Sequence, residues 1–153
     1  MEITKALLGG GCFWGIENYF KNVSGIDNTK VGYSGGLLDN PSYEEVCSGT
    51  TGHAEVVLIN FDKTIIQYSD ILNHFWTCHD PTQLNRQGLD TGTQYRSIIF
   101  YYSEEQKIIA ENSKKNFQNK LDSKIETTIE KAKIFFIAED YHQCYIEKKN
   151  INF

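Results

Sequence analysis

The sequence predicts an α+β protein, a two-layer sandwich with helices packed on one mixed sheet. Two observations predict this class. Apolar runs of period two and of period 3.6 interleave along the chain, without the regular alternation that marks a doubly wound sheet. The 153 residues also fit a single domain spanning 1–153, with no internal repeat, low-complexity run or linker. A domain of this size buries enough surface to fold without disulfides or a structural metal.

Ile3 to Leu8 reads as a short strand that runs into Gly9, Gly10 and Gly11. Phe13 to Val23 reads as a helix, because Ile16, Tyr19, Phe20 and Val23 recur at helical spacing and Gly25 offers a stop. Thr29 to Tyr33 reads as a strand, and Ser34 to Gly52 as a long loop with five glycines or prolines (Gly35, Gly36, Pro41, Gly49, Gly52). Loops beyond about 12–15 residues are uncommon in compact domains and often functional. Ala54 to Phe61 reads as a central strand, apolar on both faces, with Glu55 in phase with Val57, Ile59 and Phe61. Ser69 to Trp76 is a helix with Ile71, Leu72, Phe75 and Trp76 on one side, followed by a second loop from Asp80 to Thr93. Gln94 to Tyr102 is a strand. Ser103-Glu104-Glu105-Gln106 matches a capping box and opens a polar helix to about Leu121. Ile125 to Ile137 holds one or two strands, and Glu139 to Lys148 a final helix.

Composition narrows the function classes. A net charge of −5, from 15 basic and 20 acidic residues, gives no electrostatic footprint for nucleic acid. The residues after Met1 hold no apolar run of secretory length, and nothing approaches the roughly 18 apolar residues of a membrane span. The four cysteines, Cys12, Cys47, Cys78 and Cys144, are widely spaced, which suits reactive or buried thiols better than a disulfide framework. The expected location is therefore the reducing cytoplasm. The glycine run lacks dinucleotide spacing and a P-loop lysine, so no nucleotide cofactor is expected.

Cys12 stands where a strand ends and a helix begins. The first amides of a helix are unpaired and partly positive, which favours a thiolate. The flanking glycines let backbone and substrate approach closely. These features read as a reactive thiol. The competing reading is a small buried hydrophobe, since free cysteine is among the most buried residue types.

Gly11-Cys12-Phe13-Trp14-Gly15 is similar to the signature of the peptide methionine sulfoxide reductase A family. So are Val31-Gly32-Tyr33-Ser34-Gly35-Gly36, Tyr43-Glu44-Glu45-Val46-Cys47-Ser48-Gly49 and Thr51-Gly52-His53-Ala54-Glu55-Val56. His79-Asp80-Pro81-Thr82-Gln83, Gly92-Thr93-Gln94-Tyr95-Arg96-Ser97 and Ala138-Glu139-Asp140-Tyr141-His142-Gln143 complete the series in the family's order. The resemblance implies a thiol-dependent oxidoreductase with a ferredoxin-like core, acting on the S epimer of methionine sulfoxide, free or in proteins, to repair oxidative damage. It implies a monomer; with no cofactor motif in the sequence, neither flavin, NAD nor metal is expected.

On that resemblance Cys12 is the nucleophile that attacks the sulfoxide sulfur and becomes a sulfenic acid. Glu55 is the proton donor, kept protonated by burial among apolar neighbours; the alternative is a strand-end Glu in solvent or paired with Arg96. Tyr43 and Tyr95 correspond to the family's active-site tyrosines, whose hydroxyls can donate to the sulfoxide oxygen. Phe13 and Trp14 correspond to the apolar pocket for the substrate methyl group. Asp90 matches a position near the substrate, where the plain alternative is an exposed loop residue. Cys47 reads as structural and Cys78 as packing. Many family members regenerate the sulfenic acid with a cysteine in a glycine-rich C-terminal tail. This sequence stops at Phe153 without one. Cys144, on the expected final helix with Tyr141, Tyr145 and Lys148, is then the candidate resolving residue or an inert thiol; if neither it nor Cys47 resolves, the route is an external thiol: thioredoxin, glutaredoxin or glutathione.

Other readings stay open on residues alone. Cys47, His53, Cys78, His79, His142 and Cys144 could be drawn as metal ligands, but none has zinc-pair spacing. Cys12 with His53 would make a thiol hydrolase. A methionine-binding or redox-sensing module without turnover is the non-enzyme reading.

Overall fold

The computed structural model describes residues 2–146. The elements in chain order are β1 (Ile3–Gly9), α1 (Phe13–Lys21), β2 (Ile26–Ser34), α2 (Tyr43–Cys47), β3 (Ala54–Asp62) and α3 (Tyr68–Cys78). A small hairpin of β4 (Arg86–Gln87) and β5 (Asp90–Thr91) follows, then β6 (Ile98–Tyr101), α4 (Glu104–Gln118), β7 (Thr128–Lys131) and β8 (Phe136–Ile137). Short 3-10 turns lie at Thr93–Tyr95 and Asp140–His142.

Alternation along the strands sets the layers. On one sheet face Ala6, Leu8, Val31, Val57, Ile59, Phe61 and Ile99 meet Phe13, Ile16 and Phe20 of α1 and Ile71, Leu72, Phe75 and Trp76 of α3. The other face, with Leu7, Val56, Ile98 and Phe100, packs against Tyr102, Ala132 and Phe135. The main sheet runs β7-β6-β1-β3-β2-β8. Neighbours among its central strands β6-β1-β3-β2 pair antiparallel, while β6 and β7 pair in parallel. Two crossovers, β1-α1-β2 and β3-α3-β6, each skip one strand. This is the interleaved βαβ arrangement of a ferredoxin-like core, as the sequence predicts. Among the described residues no helix is long and apolar enough to cross a membrane.

Several expectations need correcting. The strand expected over 94–102 begins only at Ile98. Before it, Tyr95 N–H donates to the Gly92 carbonyl and the Tyr95 carbonyl accepts from Gly11 N–H, so this backbone serves the glycine run instead of the sheet ladder. The Ser103 hydroxyl caps α4 by accepting from Gln106 N–H (3.1 Å), but the Gln106 side chain reaches Tyr102 N–H and the Lys5 carbonyl, leaving the reciprocal bond unmade. A closed capping box occurs instead at Ser42 and Glu45, inside the stretch expected to be loop.

The final helix expected from Glu139 to Lys148 does not form over its first turns. Cys144 adopts φ +53°, in the left-handed region. Tertiary bonds replace helical ones. Gln143 Oε1 accepts from Val31 N–H (2.8 Å), and its Nε2 donates to the carbonyls of Val31 and Ala138. Residues 139–144 thus form a strap along the edge of β2. Lys148 and the tail at Phe153 lie outside the described residues.

Val31 is fully buried, so its N–H has no solvent to fall back on. Gln143→Ala is expected to lower stability by about 1–3 kcal/mol through that lost bond. A urea midpoint equal to wild type would show that the strap does not hold β2.

Candidate active site

β1 ends in glycines and α1 begins at Phe13, which leaves Cys12 at the N-cap in extended backbone (φ −61°, ψ 125°). Two of the glycines are required by geometry. Gly11 adopts φ +91°, where a side chain would be strained. A Cβ on Gly10 would stand 2.8 Å from the His79 ring. That ring is locked, with Nδ1–H donating to the Phe75 carbonyl (2.7 Å) and Nε2 accepting from Ser97 Oγ (2.7 Å). Burial pushes the His79 pKa down to about 4, so the ring is neutral scaffolding.

β3 delivers Glu55 to the helix-covered face, where it is 1% exposed. Its Oε1 accepts the Phe13 N–H at 3.2 Å, and its buried Oε2 has no partner among the described residues. A buried carboxylate with one bare oxygen is unfavourable, so the group holds its proton. Burial raises its pKa to about 8 against the pull of the Phe13 amide, and the Asp90 charge adds to the rise. Arg96 is no counter-ion for it, since the guanidinium donates to the carbonyls of Thr93 (2.8 Å) and Gly52 (3.0 Å).

The thiolate expected at Cys12 is not the resting state. Burial, and then the Glu55 charge, push the thiol up to about 12, and the amides at the start of α1 offset only part of this. Desolvation outweighs the helix N-terminus. Near neutrality both Cys12 and Glu55 carry protons.

Phe13 is 1% exposed and stacks with Tyr43 at 6.5 Å between centroids. The half-buried Trp14 lies flat on Tyr145 at 3.8 Å, and its Nε1–H donates to His142 Nδ1 at 3.0 Å. Tyr43 opens α2, and its N–H donates to Glu139 Oε2 (3.2 Å), whose other oxygen accepts from the Tyr33 hydroxyl (3.0 Å). Burial, then hydrogen bonding to Cys47, raises the Tyr43 phenol. Burial, then the Glu55 charge, raises Tyr95, which also faces Cys47, Asp90 and Cys12. Cys47 therefore adjoins both tyrosine hydroxyls. Burial raises its thiol while Tyr43 and Tyr95 lower it by donating hydrogen bonds.

Asp90 sits exposed on β5 and lines, with Cys12, Gly15, Tyr19, Cys78 and Gln87, a cavity of about 390 Å³. Cys144 lies elsewhere. Its N–H donates to the buried Glu17, and its sulfur accepts from Lys21 Nζ at 3.1 Å, at the last residue of α1. These contacts engage Cys144 with α1 side chains, and Cys12 and Cys144 are both free thiols in this structure. His53 is also committed elsewhere: Nδ1 accepts from Gly36 N–H (2.9 Å) and Nε2 donates to the Leu38 carbonyl (2.7 Å), so it is not a base for Cys12. Among the described residues no three potential metal ligands converge.

Sequence reasoning missed the site positions of Cys47, Glu139 and His142. All three stood in motifs that matched the family, but for Glu139 and His142 contacts across 96 and 128 residues leave no local pattern.

Fold and cluster together define a cysteine site that keeps a proton beside a thiol and an aromatic wall beside both. Residues 4–152 match the family model described as peptide methionine sulfoxide reductase. A relative from Methanothermobacter thermautotrophicus, peptide methionine sulfoxide reductase MsrA, is 53% identical over 146 residues, covering 94% of this chain and 86% of the relative. The reduced form of Mxr1 from Saccharomyces cerevisiae superposes with a TM-score of 0.94 at 36% identity, covering 99% of this chain and 88% of that one. Mxr1 in complex with Trx2 matches with a TM-score of 0.68 at 25% identity, over 94% and 85% of the two chains. The chain belongs to the peptide methionine sulfoxide reductase family.

The folded pKa of Glu55, about 8, exceeds the ordinary 4.5, so the native state binds the extra proton between those values. Its contribution to stability is full below about pH 4.5 and is lost as pH rises through 8. Glu55→Gln should therefore gain on wild type between about pH 5 and pH 9, by on the order of a few kcal/mol. Denaturant midpoints that differ by the same amount at both pH values would refute a buried, protonated Glu55.

Proposed function

We propose that this chain reduces the S epimer of methionine sulfoxide, free or in proteins, with Cys12 as nucleophile and Glu55 as proton donor. The observation that carries this reading is the carboxyl of Glu55, buried beside the Cys12–Phe13 helix start with one oxygen bare. A reductase of this family reverses the conversion of methionine to its sulfoxide.

The chemistry balances with these groups. The Cys12 sulfur bonds to the sulfoxide sulfur as the thiol gives up its proton, and the sulfoxide oxygen takes a proton from Glu55. Tyr43 and Tyr95 donate hydrogen bonds to that oxygen as its charge grows. Phe13 and Trp14 hold the methyl group on the substrate sulfur, and Asp90 borders the cavity through which the rest of the substrate reaches Cys12. The oxygen passes to Cys12 as S–OH, methionine leaves, and the proton shed by the thiol restores Glu55. One thiol then displaces hydroxide as water to form a mixed disulfide, and a second thiol releases Cys12.

We assign this second half to an external thiol, since Cys144 is engaged with Glu17 and Lys21 and Cys47 with Tyr43 and Tyr95. The solved complex of the yeast relative with Trx2 supports a thioredoxin in that role, with glutaredoxin or glutathione as alternative donors. Free Cys12, Cys47, Cys78 and Cys144 suit a reducing compartment such as the cytoplasm. A monomer suffices for this reading, since every group it assigns lies on one chain.

Intact mass after one exposure to methionine S-sulfoxide, without reductant, tests the reading. Wild type should gain one oxygen on Cys12 and release one methionine, and Cys12→Ser should do neither. Methionine release by Cys12→Ser would overturn the assignment, and a loss of two hydrogens would replace the external thiol with an internal one.

A further inference from the structure

His142 has no role in the chemistry above, yet its ring stands at the centre of the aromatic wall. Its centroid lies 4.4 Å from that of Tyr43, 5.3 Å from Phe13 and 5.4 Å from Trp14. The strap holds it there from both sides, through Glu139 bonded to Tyr33 and Tyr43 and through Gln143 bonded to Val31. The residue is 1% exposed.

The Trp14 indole nitrogen can only donate, so the 3.0 Å bond requires His142 Nδ1 to be without hydrogen. The neutral ring then carries its proton on Nε2. That atom is buried and has no partner among the described residues. An unpaired buried N–H is destabilising, and an apolar ring of similar shape would remove it at the loss of one hydrogen bond. Packing alone would be served as well by phenylalanine. A local cost of this kind marks a functional position.

Trp14 is half-buried, and stacking on Tyr145 restrains its tilt but not its rotation within the stacked plane. The bond to Nδ1 removes that freedom. We propose that His142 is a positioning residue that fixes the Trp14 indole, so that the methyl pocket exists before substrate arrives. This rests on the reading of Trp14 as pocket wall given above.

The test is a mutant cycle in which methionine release in a single turnover and thiol regeneration of Cys12 are measured separately. His142→Phe should keep or raise the melting temperature, slow methionine release about tenfold and leave regeneration unchanged. His142→Asn, which restores an acceptor near the place of Nδ1, should release methionine within about threefold of wild type. In a Trp14→Phe background, His142→Phe should have no further effect. Equal losses in the Asn and Phe variants, or an undiminished loss in the Trp14→Phe background, would overturn the proposal. If His142→Phe does not fold, the Asn variant in both backgrounds decides it, since a loss above threefold that persists without Trp14 contradicts the role. Failure of wild type to release methionine at all would instead remove the underlying function.

Discussion

Burial of the Glu55 carboxyl against the Phe13 amide is the constraint on which the site depends. It joins the start of α1 to β3, the most deeply buried strand, and so fixes Cys12 relative to the sheet. It also sets the electrostatics. With one oxygen bonded and the other bare, the carboxyl keeps a proton to neutral pH, and its ionisation is opposed by the same desolvation that raises Cys12. In the mechanism proposed above the sulfoxide oxygen must be protonated to leave, so a stored proton serves that step better than a stored thiolate.

The remaining architecture packs around that pair. α1 and α3 cover the helix-facing side of the sheet, and Gly10 and Gly11 let the His79 ring and the Tyr95 turn close in behind Cys12. The strap at 139–144 closes the aromatic side, where Glu139 holds Tyr33 and Tyr43 and His142 holds Trp14. One short segment thereby connects the edge of β2 to the groups assigned to the substrate's methyl and oxygen.

The core strands were legible because period-two alternation is a local property. Glu55 shares the face of Val57, Ile59 and Phe61 as its register demands, and Cys12 opens α1 as the glycines suggested. What failed to show depended on distant residues. The ionisation of Cys12 was misread because desolvation is set by the packed surroundings, not by position in a helix. The strap read as a helix because its spacing is helical, whereas Gln143 and the left-handed Cys144 tie it to β2. Cys47 looked structural from sequence because its stretch read as loop, which hides the i, i+4 spacing from Tyr43 on α2, while Tyr95 is distant in the chain.

The central claim is that Glu55 is a carboxylic acid, not a carboxylate, in the resting protein. Infrared difference spectra between wild type and Glu55→Gln, recorded across pH with no substrate, observe this group directly. A protonated carboxyl band at neutral pH that converts to carboxylate near pH 8 is the predicted result. A carboxylate band already present at about pH 6 would contradict the account, because the site would then hold no proton for the sulfoxide oxygen.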